Sequence, residues 1–268
     1  MSTAPPSPLA VETPVAATRA RNVIAVASGK GGVGKTFFSV TLTHAMAMRG
    51  LRALLFDGDL GLANVDVQLG LMPNRDLGGV IAGRLTLSQA KTPFAPGNFD
   101  VIAGRSGTGS LAALAPSRLA LLGSDLAELA RSYDQVVMDL GAGVDRMVRQ
   151  LASHAGRRLV VITSEPTSLT DAYAFIKVTM GDDPKADLRV VVNQAKSTPD
   201  GERTYSTLLK ACENFLRFSP PLAGVIRRDR KVVESIRTQT PLLSRFPSTE
   251  AAEDIRAIAA RLASPSGG

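Results

Sequence analysis

Gly29-Lys30-Gly31-Gly32-Val33-Gly34-Lys35-Thr36 decides the fold of this 268-residue chain. The eight residues fit the pattern G-x-x-x-x-G-K-[ST], and their flanks fit as well. Before them Val23 to Ser28 reads as a short apolar strand. After them Thr36 to Arg49 reads as a helix, stopped by Gly50. A strand, a glycine loop and a helix in that order form a phosphate cradle. The glycines let the backbone curl until successive N–H groups point at phosphate oxygens, and the helix adds the positive end of its dipole. Gly29, Lys30, Gly31, Gly32, Val33, Gly34, Lys35 and Thr36 are therefore the expected ATP-binding positions. Lys35 reaches the β- and γ-phosphates, and the Thr36 hydroxyl ligands Mg²⁺. Lys30 is surplus to the simple motif. It is either a solvent-facing charge or a lysine delivered across a dimer interface to a partner's phosphates, as an arginine finger is.

Working outward, apolar strands alternate with helices. Ala53 to Phe56 runs into Asp57, and Phe99 to Ala103 forms a third strand. Pro116 to Arg131 reads as a helix with Leu119, Leu122, Leu126 and Leu129 at helical spacing. Gln135 to Met138, Leu159 to Thr163, Leu188 to Val192 and Leu222 to Ile226 are further strands, and Thr249 to Leu262 is the last helix. Strands without polar alternation, separated by helices, predict a doubly wound, mostly parallel α/β sheet flanked by helices. Ligands of such sheets sit beyond the carboxyl ends of the strands, where every polar motif of this chain falls. Residues 1–21, with Pro5, Pro6, Pro8 and Pro14, are expected to be a disordered tail. Residues 22–263 are expected to be one ATPase domain and 264–268 a flexible end.

Two acids one residue apart, Asp57 and Asp59, project beside the phosphate site. One can hold Mg²⁺-bound water while the other orients the attacking water; solvated turn aspartates are the plainer alternative. Asp139 ends the strand Val136-Val137-Met138 and would bond the magnesium shell, while Gly141 and Gly143 let the backbone follow a γ-phosphate. Asn193 ends another strand, placed either to read the adenine edge or to cap its turn. Asn193-Gln194-Ala195-Lys196 departs from the Asn-Lys-x-Asp of guanine readers. Thr167 or Ser168 is the expected cap of the helix that follows Glu165-Pro166.

The totals bound the rest. Lys and Arg number 31 against 24 Asp and Glu, a net +7. Such a charge permits nucleic acid, acidic lipid or an acidic protein as partner. Arg227-Arg228-Asp229-Arg230-Lys231 is preferred as a solvated helix face over a DNA footprint. Cys212 is the single cysteine, so no intrachain disulfide forms, a cytoplasmic home is expected, and helix packing is its expected role. His44 and His154 belong to no metal-like cluster. No signal peptide is expected, and no apolar run approaches about 20 residues.

Lys30-Gly31-Gly32-Val33-Gly34-Lys35-Thr36 resembles the deviant Walker A loop of the MinD/ParA ATPases. Asp57-Gly58-Asp59-Leu60-Gly61-Leu62-Ala63-Asn64-Val65-Asp66, Leu140-Gly141-Ala142-Gly143 and Ser164-Glu165-Pro166-Thr167-Ser168 are similar to the FlhG (FleN) branch, the flagellar-number regulators. The resemblance spans about Val23 to Leu262. It implies ATP and Mg²⁺ as cofactors and ATP-dependent homodimerisation. It implies that Lys30 crosses the dimer interface, that Asp59 positions water and that Asn64 belongs to the same switch. Asp59 and Asp139 would meet Mg²⁺ through water, and Asp229 would line the base pocket. The implied activity is slow ATP hydrolysis that times the regulation of flagellar number and placement. Implied partners are an FlhF-type GTPase, flagellar C-ring proteins and a transcription activator, with recruitment to a cell pole or the inner membrane surface. Residues 1–22 hold nothing like the branch's D-Q-A-x-x-L-R segment. The last helix has an apolar stripe of Ile255, Ile258 and Leu262 but no aromatic, so it is expected to dock on its own domain and membrane contact to be weak or absent. A ParA-type partition ATPase on DNA and a metabolic phosphotransferase are the rival readings.

Overall fold

Along β1 (Ala20–Ser28) successive side chains enter opposite cores, the period-two consequence of a pleated strand. Val23, Ala25 and Ala27 join one apolar cluster, and Ile24 and Val26 join the other. A strand that is apolar on both faces belongs in the middle of a layered domain, and β1 lies there. The computed structural model describes residues 19–104 and 114–263. The elements after β1 are α1 (Lys35–Ala47), β2 (Ala53–Gly58), the short helices α2 (Val65–Leu69), α3 (Leu77–Ile81) and α4 (Leu87–Ala90), β3 (Thr92–Phe94) and β4 (Phe99–Ile102). Then come α5 (Pro116–Ala130), β5 (Gln135–Ala142), α6 (Arg146–Ser153), β6 (Ala155–Ile162), α7 (Pro166–Asp182), β7 (Asp187–Ala195), α8 (Thr198–Leu216), β8 (Leu222–Arg227), α9 (Arg230–Arg237), α10 (Leu242–Arg245) and α11 (Glu250–Ala263).

The described strands form one sheet in the order β3-β4-β2-β5-β1-β6-β7-β8. All neighbours run parallel except the antiparallel edge pair β3–β4. The doubly wound, mostly parallel fold expected from the sequence is therefore the observed one. α5, α6, α7 and α8 cover one face with Leu122, Leu126, Leu151, Phe175, Ile176 and Leu208. α1 and α11 cover the other. α1 is buried along its whole length, because α11 and α10 close over the side that the sheet does not.

The last helix docks on its own domain, as its modest apolar stripe predicts. Ala251, Ala252, Ile255, Ile258, Ala259 and Leu262 are all buried. A Cβ on Gly224 of β8 would lie 2.5 Å from Ile258, so the helix sits directly on the strand. Arg227 adds a clamp. Its guanidinium donates to both Asp254 oxygens at 2.9 Å and to Glu250 at 2.7 Å. The solvated-face expectation thus fails for Arg227, whose planar fork finds two carboxylates on α11. Arg228, Arg230 and Lys231 are exposed, as expected.

Several boundaries move, and two bear on the site. β1 begins at Ala20, inside the stretch expected to be tail, because the Ala20 N–H donates to the His154 carbonyl and Arg19 pairs with Asp183. α7 begins at Pro166, and neither Thr167 nor Ser168 caps it. Ser168 instead accepts from the Thr163 N–H at 3.0 Å. The rest of the expected tail, and 264–268, lie outside the described residues. Cys212 is buried in α8 as expected. No helix among the described residues is long and apolar enough to cross a membrane.

Candidate nucleotide site

The carboxyl ends of β1, β2, β5 and β7 converge on the glycine loop. Gly32 and Gly34 hold φ of 80° and 89°, left-handed values that only glycine adopts freely. Gly34 has a second constraint, since a Cβ there would lie 2.5 Å from the Asn193 amide nitrogen. Gly29 touches the far side of the site, where a Cβ would collide with the backbone of Asp171 in α7 at 2.2 Å. The loop is therefore wedged between β7 and α7.

The two lysines part company. Lys35 turns inward and is 8% exposed. Burial holds its ammonium below the usual lysine range, and the charges of Asp139 and Asp59 oppose that shift. Lys30 turns outward. Its Nζ donates to Glu165 at 2.5 Å and to Thr167 Oγ1 at 2.9 Å, at the start of α7. Thr167, expected as a cap, serves Lys30 instead. Gly31, Gly32 and Val33 complete the turn between them.

Three aspartates stand behind the loop. Asp57, at the end of β2, is fully buried and accepts the N–H groups of Asp59 and Val65, both at 3.2 Å. Burial, then the charge of Asp139, pushes its carboxyl up to about 8. Asp139 pairs with Asp57 across the β2–β5 register. Burial pushes it up to about 6 against hydrogen bonds from the Thr36 and Ser39 hydroxyls. Asp59 accepts the Gly61 and Leu62 N–H groups at 3.3 and 2.9 Å. It also faces Gly141, whose Cβ position lies 3.4 Å from its Oδ1. The structure thus brings together Thr36, Asp57, Asp59, Asp139 and Gly141, which the sequence scatters over more than a hundred positions.

Thr36, Asp59 and Asp139 offer the hard oxygen donors that Mg²⁺ prefers. Crowded acids whose burial favours protonation are also relieved by a cation. No group of His, Cys, Asp and Glu among the described residues could hold a metal unaided, so an ion here would draw the rest of its shell from phosphate and water.

The base end is less uniform. Asn193 is buried, donates to the Val33 carbonyl at 2.8 Å and accepts the Gln194 N–H at 2.9 Å. It braces the phosphate loop from the base side. Asp229 caps α9 by accepting the Lys231 N–H at 2.8 Å. Asn64 is exposed and donates to the Leu62 carbonyl, within its own turn. Motif reading passed over Ser39 and did not pair Glu165 with Lys30. The one available signal was a hydroxyl three residues after Thr36, on the same side of the helix.

The model of the CobQ/CobB/MinD/ParA nucleotide binding domain matches residues 24–242. The chain belongs to this family. Within it, the chain is 39% identical over 240 residues to the antiactivator FleN of Pseudomonas aeruginosa, covering 90% of this chain and 85% of that protein. It is 31% identical over 191 residues to the flagellum site-determining protein YlxH of Helicobacter pylori, covering 71% of this chain and 64% of that one. Among solved structures, the septum site-determining protein MinD of Pyrococcus horikoshii, complexed with Mg-ADP, superposes with a TM-score of 0.75 at 25% identity, covering 91% and 96% of the two chains. The MinD/ParA resemblance and its flagellar branch, read from the loop and switch segments, agree with these relatives.

Proposed function

We propose that this chain is an ATP-gated switch that dimerises on ATP, hydrolyses it slowly and regulates flagellar number and placement. The outward course of Lys30 carries the proposal. One lysine, Lys35, serves the chain's own phosphates. The other leaves the cradle and stands at its lip, with 36% of its side chain exposed. A cation at the lip is suited to a second protomer's nucleotide, where it would stabilise charge developing on the transferred phosphoryl group. Asp59 orients the attacking water, and hydrolysis waits on dimerisation because Lys30 completes only its partner's site. Thr36 would hold Mg²⁺ directly, with Asp59 and Asp139 reaching it through water. The ion would supply charge neutralisation at the β- and γ-oxygens.

FleN and YlxH, named for antiactivation and flagellum placement, support the flagellar role. By the same likeness the partners are an FlhF-type GTPase, C-ring proteins and a transcription activator, met in the cytoplasm, at a pole or at the inner membrane surface. Lys30→Ala tests the switch. It should bind ATP as the parent does, yet stay monomeric in size-exclusion chromatography with ATP and lose hydrolysis. A Lys30→Ala protein that dimerises on ATP would sink the cross-interface role.

A further inference from the structure

α1 carries three buried hydroxyls beyond the glycine loop, and they behave differently. Thr41 donates back to the Phe37 carbonyl at 2.8 Å and Thr43 to the Ser39 carbonyl at 2.7 Å. That i−4 bond is the ordinary resource of a hydroxyl inside a helix. Ser39 leaves its own helix and donates across the core to Asp139 Oδ1 at 2.8 Å. Both residues are almost fully buried, at 0% and 1% exposure, so no water competes for that oxygen.

We infer that Ser39 is a positioning residue for the Mg²⁺ site, fixing the Asp139 carboxylate from behind so that its remaining valences face Thr36 and the ion. The Thr36 hydroxyl stands close enough to Asp139 to hold its carboxyl down against the upward push of burial. A hydroxyl that donates its proton to a carboxylate turns its lone pairs the other way, which is what a metal-ligating Thr36 needs. Ser39 thus fixes the carboxylate beside Thr36, and a Thr36 proton given to that carboxylate would leave its lone pairs for the ion. Lys35 and Asp59 contribute charge to Asp139 but not that direction. Groups that hold a metal's ligands from behind typically set its affinity by about 10–100-fold.

The inference rests on the MgATP reading, and one titration separates the two. Binding of N-methylanthraniloyl-ATP is followed by fluorescence in EDTA and then with rising Mg²⁺. Ser39→Ala should bind the nucleotide in EDTA within about twofold of the parent, but need about 10–100-fold more Mg²⁺ for half of the ion-dependent tightening. Ser39→Cys, of near-native volume but a weak donor, should behave like Ser39→Ala, and covers the case in which the alanine variant does not fold. Ser39→Thr should restore the parental Mg²⁺ dependence. Parental Mg²⁺ dependence in the alanine or cysteine variant would overturn the inference. So would an equal loss of binding with and without Mg²⁺, the mark of a purely structural hydroxyl. If the parent shows no Mg²⁺-dependent tightening, the MgATP reading fails, and this inference with it.

Discussion

Replacing Gly34 by alanine strikes the phosphate loop in two independent ways, and their sizes can be worked out separately. Gly34 sits at φ 89°, ψ 26°. Holding an L-residue in the left-handed region costs about 1–2 kcal/mol. The added Cβ would also lie 2.5 Å from the Asn193 amide nitrogen. Relieving that overlap by moving the loop costs about 1–3 kcal/mol. Moving Asn193 instead forfeits its bond to the Val33 carbonyl, worth about 1 kcal/mol. Together about 2–5 kcal/mol falls on the binding-competent loop. At about 1.4 kcal/mol per tenfold, ATP should bind roughly 30-fold more weakly or worse. Titration with N-methylanthraniloyl-ATP measures this. The decisive arm is the double-mutant cycle with Asn193→Ala, which removes the overlap but leaves the backbone strain. There the added cost of Gly34→Ala should shrink by a coupling of about 1–3 kcal/mol, toward the strain alone. Binding within tenfold of the parent, or an equal cost in both backgrounds, would refute the reasoning.

Three further outcomes are expected. Asp59→Ala should bind ATP and accumulate as an ATP dimer while hydrolysis falls about 10²–10⁴-fold, the scale of a lost acid–base group; unchanged phosphate release would remove Asp59 from the chemistry. Ile258→Ala should open a cavity between α11 and β8 costing about 2–5 kcal/mol, read as a large drop in melting temperature. If α11 is core as its burial indicates, the parent should also co-sediment weakly or not at all with anionic vesicles in ATP. Strong ATP-dependent sedimentation would contradict the weak membrane contact expected here. Burial pushes the Cys212 thiol up to about 11, so at pH 8 the thiolate is on the order of a thousandth of the population. A disulfide reagent should therefore modify Cys212 only after denaturant unfolds the chain, and rapid reaction in native buffer would overturn its placement.

The phosphate loop is legible in sequence because its determinants are local. Glycines at the left-handed positions, a preceding apolar strand and a following helix all lie within about two dozen residues. The carboxylates were equally legible as strand-end residues, since a parallel sheet places every strand's carboxyl end on one side. The short helices α2 to α4 and the edge strand β3 were not read, because three to five residues carry too little periodicity to stand out.

What only the tertiary structure decided is which distant residues meet. Lys30 finds Glu165 across 135 positions, Asn193 reaches Val33 across 160, and Ser39 reaches Asp139 across 100. An apolar strand announces that it is buried, through its composition, but not which strand it will lie beside. Placing β5 and β6 on either side of β1 is a result of chain topology and packing on both faces. The start of α7 beside the glycine loop turned Thr167 from a helix cap into a partner of Lys30, and α11 packed on β8 turned Arg227 from a surface charge into a clamp.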